Sequence, residues 1–382
     1  MLIKSKPNFA DIVTQFESEI RPNLSYQEHR ILNHIQACRT PVMGGHVLDC
    51  ESCHRTHYQY HSCRDRHCPC CGYQASQQWV EARMEDVLPV TYHHLVFTLP
   101  HTINHWVHYH RKLIYRLLFQ AVWSTLNQFG RDPKRLDGQL GAMLVLHTWG
   151  QNLGRHVHIH CLVPSGALQS NMRWQPAKST YLFPVRALSR CYRGKMVSLL
   201  RAARSQFEGV KDNEFNEVLD QLMAKNWNVY SKPVISKTET VVGYLARYTK
   251  RIGLTNARIL KVDNDHVWLR CRDKKGEKTS GVIKLEGVEL LRRFILHTLP
   301  SGFMRVRYYG YLANVHRRKK LKQIRQVLAN ATKKTATKLT HTTRQLKQSY
   351  RPVCTKCQRL LRIVRVLPPK PHWLRVTPLF VP

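Results

Sequence analysis

Acidic residues are scarce in this chain: 24 Asp and Glu stand against 61 Lys and Arg in 382 residues, a formal net charge of +37. No trio of carboxylates is grouped as a two-metal or acid-triad site requires, which excludes enzymes that hold paired cations on acidic strand ends. Long apolar runs are missing as well. No stretch approaches the roughly 20 apolar residues of a membrane-spanning helix, and the opening MLIKSKPNFADIV has no apolar core of a secretion signal. The expected compartment is therefore the cytosol, where disulfides are rare. The twelve cysteines are then expected as thiols or metal ligands.

A positive excess of this size repels itself unless a polyanion neutralises it, and nucleic acid is the polyanion that fits. From Tyr311 to the C-terminus the chain carries 18 Lys and Arg and no Asp or Glu, beginning with the helical pattern HRRKKLKQIR. Such a tail reads as a phosphate-binding arm.

Helical spacing of Ile12, Phe16, Ile20, Ile31 and Ile35 predicts helices over 9 to 40. Further helices are expected at about 74 to 87, 103 to 128, 183 to 207, 211 to 225 and 239 to 252. YHHLVFTLP, Tyr92 to Pro100, reads as a buried strand ending at proline. AMLVLHTW, Ala142 to Trp149, and His156 to Val163 are strand-like runs joined by GQNLGR, a connection of hairpin length. WNVY begins another strand, and alternation across 257 to 284 predicts a further antiparallel set.

Six of the cysteines fall between Cys50 and Cys71, in CESCHRTHYQYHSCRDRHCPCC. Cys50-x-x-Cys53 and Cys68-x-x-Cys71 lie fourteen residues apart. Each knuckle turns its two sulfurs to one side, so the two pairs are expected to hold one structural Zn²⁺ as a closed tetrathiolate. Cys63 and His67 are the candidates for a second zinc. Cys354-x-x-Cys357 is half of such a site with no second pair nearby in sequence, and it stays unassigned.

GRHVHIHCLVP, Gly154 to Pro164, sits on the second strand of the predicted hairpin. Side chains two apart share a face of a strand, so His158 and His160 project together while Ile159 enters the core. Two imidazoles so placed can share a divalent cation without cancelling its charge. On the expected helix over 239 to 252, Tyr244 and Tyr248 stand four apart on one face with Arg247, Lys250 and Arg251 beside them as phosphate-binding cations. A phenol with a pKa of about 10 is a poor nucleophile near neutrality. It needs a cation that polarises the phosphodiester and a positive environment for the phenolate.

With these pieces in order, the chain resembles the two-tyrosine HUH transposases of rolling-circle bacterial insertion sequences, the insertion-sequence-91 type. GGHVLDCESC with SCRDRHCPCCG is similar to that family's zinc-binding segment, and HHLVFTLPH to its first catalytic strand. LHTWGQNLGRHVHIHCLVP is similar to its HUH region, YLARYTKRIGLTNARI to its tyrosine helix, and RVRYYGYLANVHRRK to the stretch that follows. The family has proline between the first two histidines where this chain has Val157. The resemblance implies an α+β fold with an antiparallel sheet flanked by helices. It also implies Mg²⁺ or Mn²⁺ on His158 and His160, and Tyr244 and Tyr248 alternately nicking and joining single-stranded DNA at element ends and target. A third ligand on the neighbouring strand is implied too: Gln151 is the expectation, with His147 and His156 as competitors. A bacterial cytoplasmic, nucleoid-associated enzyme with host replication proteins as further partners follows from the same resemblance.

The expected division is a helical and zinc-binding part over 1–90 with its zinc segment at 46–72, a catalytic part over 91–310 and a basic DNA-binding part over 311–382. A plasmid rolling-circle initiator or relaxase would use the same chemistry. A non-catalytic zinc-binding nucleic-acid adaptor would explain the charge and the cysteines, but neither the histidine strand nor the tyrosine pair.

Overall fold

The computed structural model describes residues 6–71, 83–177, 181–234, 253–271, 281–332 and 352–370. The chain opens with helices α1 (Phe9–Phe16) and α2 (Tyr26–Ala37), then strands β1 (Gly45–Asp49) and β2 (Thr56–Tyr60). Strand β3 (Tyr92–Thr98), helices α3 (Asn104–Tyr109) and α4 (Arg111–Arg131) and the hairpin β4 (Gly141–Trp149) and β5 (Arg155–Pro164) follow. Next come the short pair β6 (Gly166–Leu168) and β7 (Trp174–Pro176), helices α5 (Val185–Ala202) and α6 (Asp212–Ala224), and β8 (Val229–Val234). Strands β9 (Ile259–Val262), β10 (His266–Cys271) and β11 (Gly281–Glu286) lead to α7 (Gly287–Leu296), β12 (Val306–Gly310), α8 (Arg317–Thr332) and β13 (Arg362–Leu367). The expected α+β class with antiparallel sheets and flanking helices is what the chain forms. Among the described residues no helix is long and apolar enough to cross a membrane.

Two compact units result, one from Met1–Tyr73, Leu254–Ile295 and Thr337–Pro382, the other from Gln74–Gly253 and Leu296–Ala336. Each unit draws on separate stretches of the chain. The tail divides between them, because its two halves carry different elements.

In the first unit, α1 starts at a capping box. The Asn8 side chain accepts the N–H groups of Ala10 and Asp11, and the Asp11 carboxylate accepts that of Asn8. Ser25 and Glu28 do the same for α2. The helical spacing buries Phe9, Ile12, Val13 and Phe16 on one face of α1, where the Phe9 ring lies 4.5 Å from Phe294 of α7. One antiparallel sheet runs β9–β10–β11 and another β13–β1–β2. In the second, Gly45 to Asp49 of β1 pair with Leu367 to Arg362 of β13. The tail expected as an arm therefore supplies a strand here: β-branched Ile363, Val364 and Val366 favour extended backbone, and β1 offers the edge they complete.

The second unit is built on a five-stranded antiparallel sheet ordered β12–β4–β5–β3–β8. The histidine strand β5 is its central strand. Val157, Ile159, Cys161 and Val163 alternate onto one face and join the main core with Ile114, Leu118 and Val122 of α4 and Leu188, Tyr192 and Met196 of α5. Burial of each such side chain stabilises by about 1.5–3 kcal/mol. Because the strand period is two, that commitment sends His158 and His160 to the opposite face. The helix expected over 103 to 128 is divided at His110, whose backbone (φ −113°, ψ 37°) leaves the helical region between α3 and α4. The helix expected over 239 to 252, and most of that at 74 to 87, lie outside the described residues.

Candidate active site and metal centres

Three imidazoles meet on the face of the central strand opposite the main core. His147 of β4 stands directly opposite His158 of β5 in the ladder, and His160 lies two residues further along β5. Nε2 of His158 and Nε2 of His160 are 3.0 Å apart. One ring nitrogen from each of His147, His158 and His160 lies within 4.8 Å of the others. Nitrogens bound at about 2.0–2.1 Å to a common cation sit roughly 3 Å from one another, so the trio has the dimensions of a facial metal site.

The groups behind the trio set its tautomers. His158 Nδ1–H donates to its own strand's His156 carbonyl at 2.9 Å, which leaves Nε2 with a lone pair facing inward. His160 Nδ1 lies 2.8 Å from Nε2 of His94 on β3, and their rings stack at 5.0 Å. Outer hydrogen bonds of this kind orient metal-binding imidazoles. Burial keeps the rings neutral: desolvation lowers His158 and His94 to pKa values of about 4 and lowers His160 further, the neighbouring His158 adding to the effect. The two Nε2 atoms at 3.0 Å can share either a His160 hydrogen or a cation, and the neutral rings are what a cation requires. The donor set thus fits a divalent ion. An all-nitrogen set accepts Mn²⁺ more readily than Mg²⁺, which prefers oxygen.

Gln151, the expected third ligand, lies in the exposed turn between β4 and β5. His147, one of its competitors, is the residue that lies with His158 and His160, because cross-strand pairing puts it opposite His158 whereas Gln151 belongs to the turn that reverses the chain. His156 stacks on His101 at 5.6 Å and serves the site through its carbonyl. The turn itself is held by Leu153, which is buried with a left-handed backbone (φ 59°). Its carbonyl accepts Nε2–H of His297 at 2.8 Å, and Nδ1 of His297 faces the Thr148 hydroxyl.

A cation borders the histidines. Arg305 donates Nε–H to the Leu146 carbonyl at 2.9 Å and lies over the Trp149 ring at 4.6 Å. Its charge contributes to the lowered pKa of His158 and His160. The Trp149 ring in turn stacks on His147 at 4.6 Å. Gly253 packs so tightly on Trp149 that a Cβ there would lie 2.3 Å from the indole. Tyr244, Tyr248, Arg247, Lys250 and Arg251 lie outside the described residues.

The cysteines of the first unit form two quartets where one was expected. Cys38, Cys63, Cys68 and Cys71 gather in one, and Cys50, Cys53, Cys354 and Cys357 in the other. The expected Cys50, Cys53, Cys68 and Cys71 set is divided between them. The reason is the sheet: β1–β2 carries the first knuckle on its turn, and β13 brings Cys354 and Cys357 to that same end. Cys68 and Cys71 meet Cys38, at the end of α2, and Cys63, with Cys71 3.5 Å from each. Four sulfurs so arranged fit a closed zinc site. Cys63, expected with a second zinc, lies with Cys38, Cys68 and Cys71. His67 lies outside that group of four sulfurs, with its Nδ1 3.0 Å from Asp65, which also holds His34. His94, Arg305 and Cys38 escaped the sequence reading. His94 shares period-two spacing with Val96 in HHLVF, but a single His on a strand carries no distinguishing signal, and neither does a lone Cys at a helix end.

Comparison with known proteins gives two matching families. Residues 8–99 match the "Transposase zinc-binding domain" and residues 141–320 match a family described as "Putative transposase". A "Putative transposase y4qJ" of Sinorhizobium fredii is 37% identical over 343 residues, 86% of this chain and 85% of that protein. The "Transposase for insertion sequence element IS801" of Pseudomonas savastanoi pv. phaseolicola is 25% identical over 292 residues, 73% of this chain and 68% of that protein. No solved structure matches the chain.

Proposed function

The chain belongs to the transposases of the insertion-sequence-91 type, and from that membership we propose that it nicks and rejoins single-stranded DNA at element ends through a 5′-phosphotyrosine, as rolling-circle transposition requires. The observation that carries the proposal is the convergence of His147, His158 and His160 on the face of the central strand opposite the main core. A divalent cation held there would polarise a scissile phosphate and stabilise the charge that builds on its oxygens.

The chain's own groups do the rest. Tyr244 or Tyr248 attacks phosphorus through its phenolic oxygen. The P–O3′ bond breaks, the new 3′ oxygen takes a proton, and the 5′ phosphate stays on tyrosine. Because one phosphoester replaces another, the second tyrosine or a 3′-hydroxyl can reverse the step without an external energy source. Arg305 supplies fixed positive charge beside the histidines, and Arg247, Lys250 and Arg251 are proposed to hold the adjoining phosphates. Four residues lie between Tyr248 and Gly253, and five such steps along the chain reach at most about 18 Å. Gly253 packs against Trp149, and Trp149 stacks on His147; this short tether supports assigning the nucleophile to the tyrosine pair.

The test is adduct formation on a labelled element-end oligonucleotide. A protein–DNA species that survives denaturation, carries a 5′-end fragment and depends on Mn²⁺ is expected, and mass spectrometry identifies the tyrosine. A Tyr244→Phe/Tyr248→Phe protein that still forms the adduct would refute the mechanism.

A further inference from the structure

The Cys354–Cys357 knuckle lies outside the matched zinc-binding region at residues 8–99, and the DNA chemistry proposed above makes no use of it. Its partners are on the page. Cys357 Sγ is 3.3 Å from Cys50 and 3.8 Å from Cys53, and Cys354 Sγ is 3.6 Å from Cys53. Sulfurs bound tetrahedrally at about 2.3 Å to one Zn²⁺ lie roughly 3.8 Å apart, so the quartet has the size of a zinc tetrathiolate.

The two knuckles are also the same turn made twice. Cys50 N–H donates to the Arg55 carbonyl and accepts His54 N–H on its own carbonyl. Cys354 N–H donates to the Arg359 carbonyl and accepts Gln358 N–H in the same way. In both, the fifth residue is left-handed: φ is 54° at His54 and 59° at Gln358. Each turn is followed or preceded by a strand of one sheet, since β1 ends one residue before Cys50 and β13 begins five residues after Cys357, with Asp49 paired to Arg362. Local hydrogen bonding thus prepares both sulfur pairs before they meet, and the strand ladder brings them together.

We propose that Cys50, Cys53, Cys354 and Cys357 hold a structural Zn²⁺ that clasps the C-terminal strand onto the N-terminal sheet, giving each chain two zinc ions. The first is held by Cys38, Cys63, Cys68 and Cys71. The residues just after β1 thereby anchor a segment some three hundred positions away in sequence, and β13 is retained only while the second ion is bound. The inference is independent of the DNA chemistry.

Zinc content of the purified full chain measures it directly. Two ions per chain are expected, and one would overturn the proposal. Alkylation of the native protein locates the ions without any substitution: Cys354 and Cys357 should resist a maleimide while zinc is bound and react once a chelator removes it. Reaction of both in zinc-loaded protein at the rate seen in denaturant would overturn the assignment. Cys354→Ser/Cys357→Ser should hold one ion and lose amide protection over 362–367, whereas Cys38→Ser/Cys63→Ser should hold one ion and keep that protection. Two ions, or unchanged protection of 362–367, in the Cys354→Ser/Cys357→Ser protein would refute the clasp.

Discussion

A metal ligand and a neighbouring polar side chain are told apart by where the lone pair points, and the histidine trio gives that distinction measurable form. His147→Ala removes a nitrogen that faces His158 and His160, and nicking is expected to fall by about 100-fold or more, whereas Gln151→Ala, in an exposed turn, should stay close to wild type. Comparable losses in both variants would return the third ligand to Gln151. His94→Ala leaves the ligand set complete but removes the partner of His160 Nδ1. It should raise the Mn²⁺ concentration for half-maximal nicking by roughly 10–100-fold, with His94→Gln recovering part of the loss. His297 tests a different property, stability. Burial lowers it to a pKa of about 4, below the ordinary 6.5, so the folded chain takes up its proton later than the unfolded one. Stability from this group is therefore complete above about pH 6.5, declines as pH falls and is exhausted near pH 4, a contribution of about 3 kcal/mol in all. His297→Asn should flatten the dependence of the thermal midpoint on pH across that window, and an unchanged slope would show that another group governs it.

At the scale of elements, what the sequence disclosed was whatever a local period encodes. The β4–β5 hairpin was legible because apolar runs flank a glycine-containing turn, and the facing of His158 and His160 was legible because Ile159 and Val157 must enter the core. α1 and α2 announced themselves through isoleucine spacing. The grouping of the cysteines was illegible for the opposite reason. Two CxxC pairs fourteen residues apart satisfy the spacing of one site, yet sheet pairing over some three hundred residues decides which sulfurs meet, and no local pattern records that pairing. Likewise RIVRVL was read by its charge when its β-branched residues placed it beside β1. The central position of β5 has an energetic consequence. Ile159→Ala opens a cavity between the sheet and α4 and should destabilise the chain by about 2–5 kcal/mol, measured by urea unfolding. His158→Ala, which removes a side chain from the opposite face, should cost much less stability while abolishing adduct formation. If the two variants lost stability equally, the histidine would be part of the packing and not of a metal site.

For the molecule as a whole, a net charge of +37 says that DNA is bound largely by release of its counterions, and the position of each cation decides whether it takes part. On α8, Leu321 and Ile324 are buried, and Arg317 is committed to Asp86 at 3.3 Å and to the Tyr308 ring. Arg318, Lys319 and Lys322 are exposed on the same helix and have no acidic neighbour in the chain after Glu289. Exposed cations can neutralise phosphate; a cation already paired with a carboxylate contributes structure instead. For single strands the logarithm of the binding constant falls against the logarithm of salt with a slope of about −0.7 per phosphate neutralised. Arg318→Gln/Lys319→Gln/Lys322→Gln should therefore make the slope shallower by about 2, as fluorescence anisotropy between about 50 and 200 mM salt would show. The loss should be the same for any strand sequence, since phosphate contacts carry none, and adduct formation at saturating DNA should be unchanged. Arg317→Gln should instead lower the thermal midpoint and leave the slope alone. A slope unaltered in the triple variant would remove α8 from the DNA-binding surface and leave that work to the cations elsewhere in the chain.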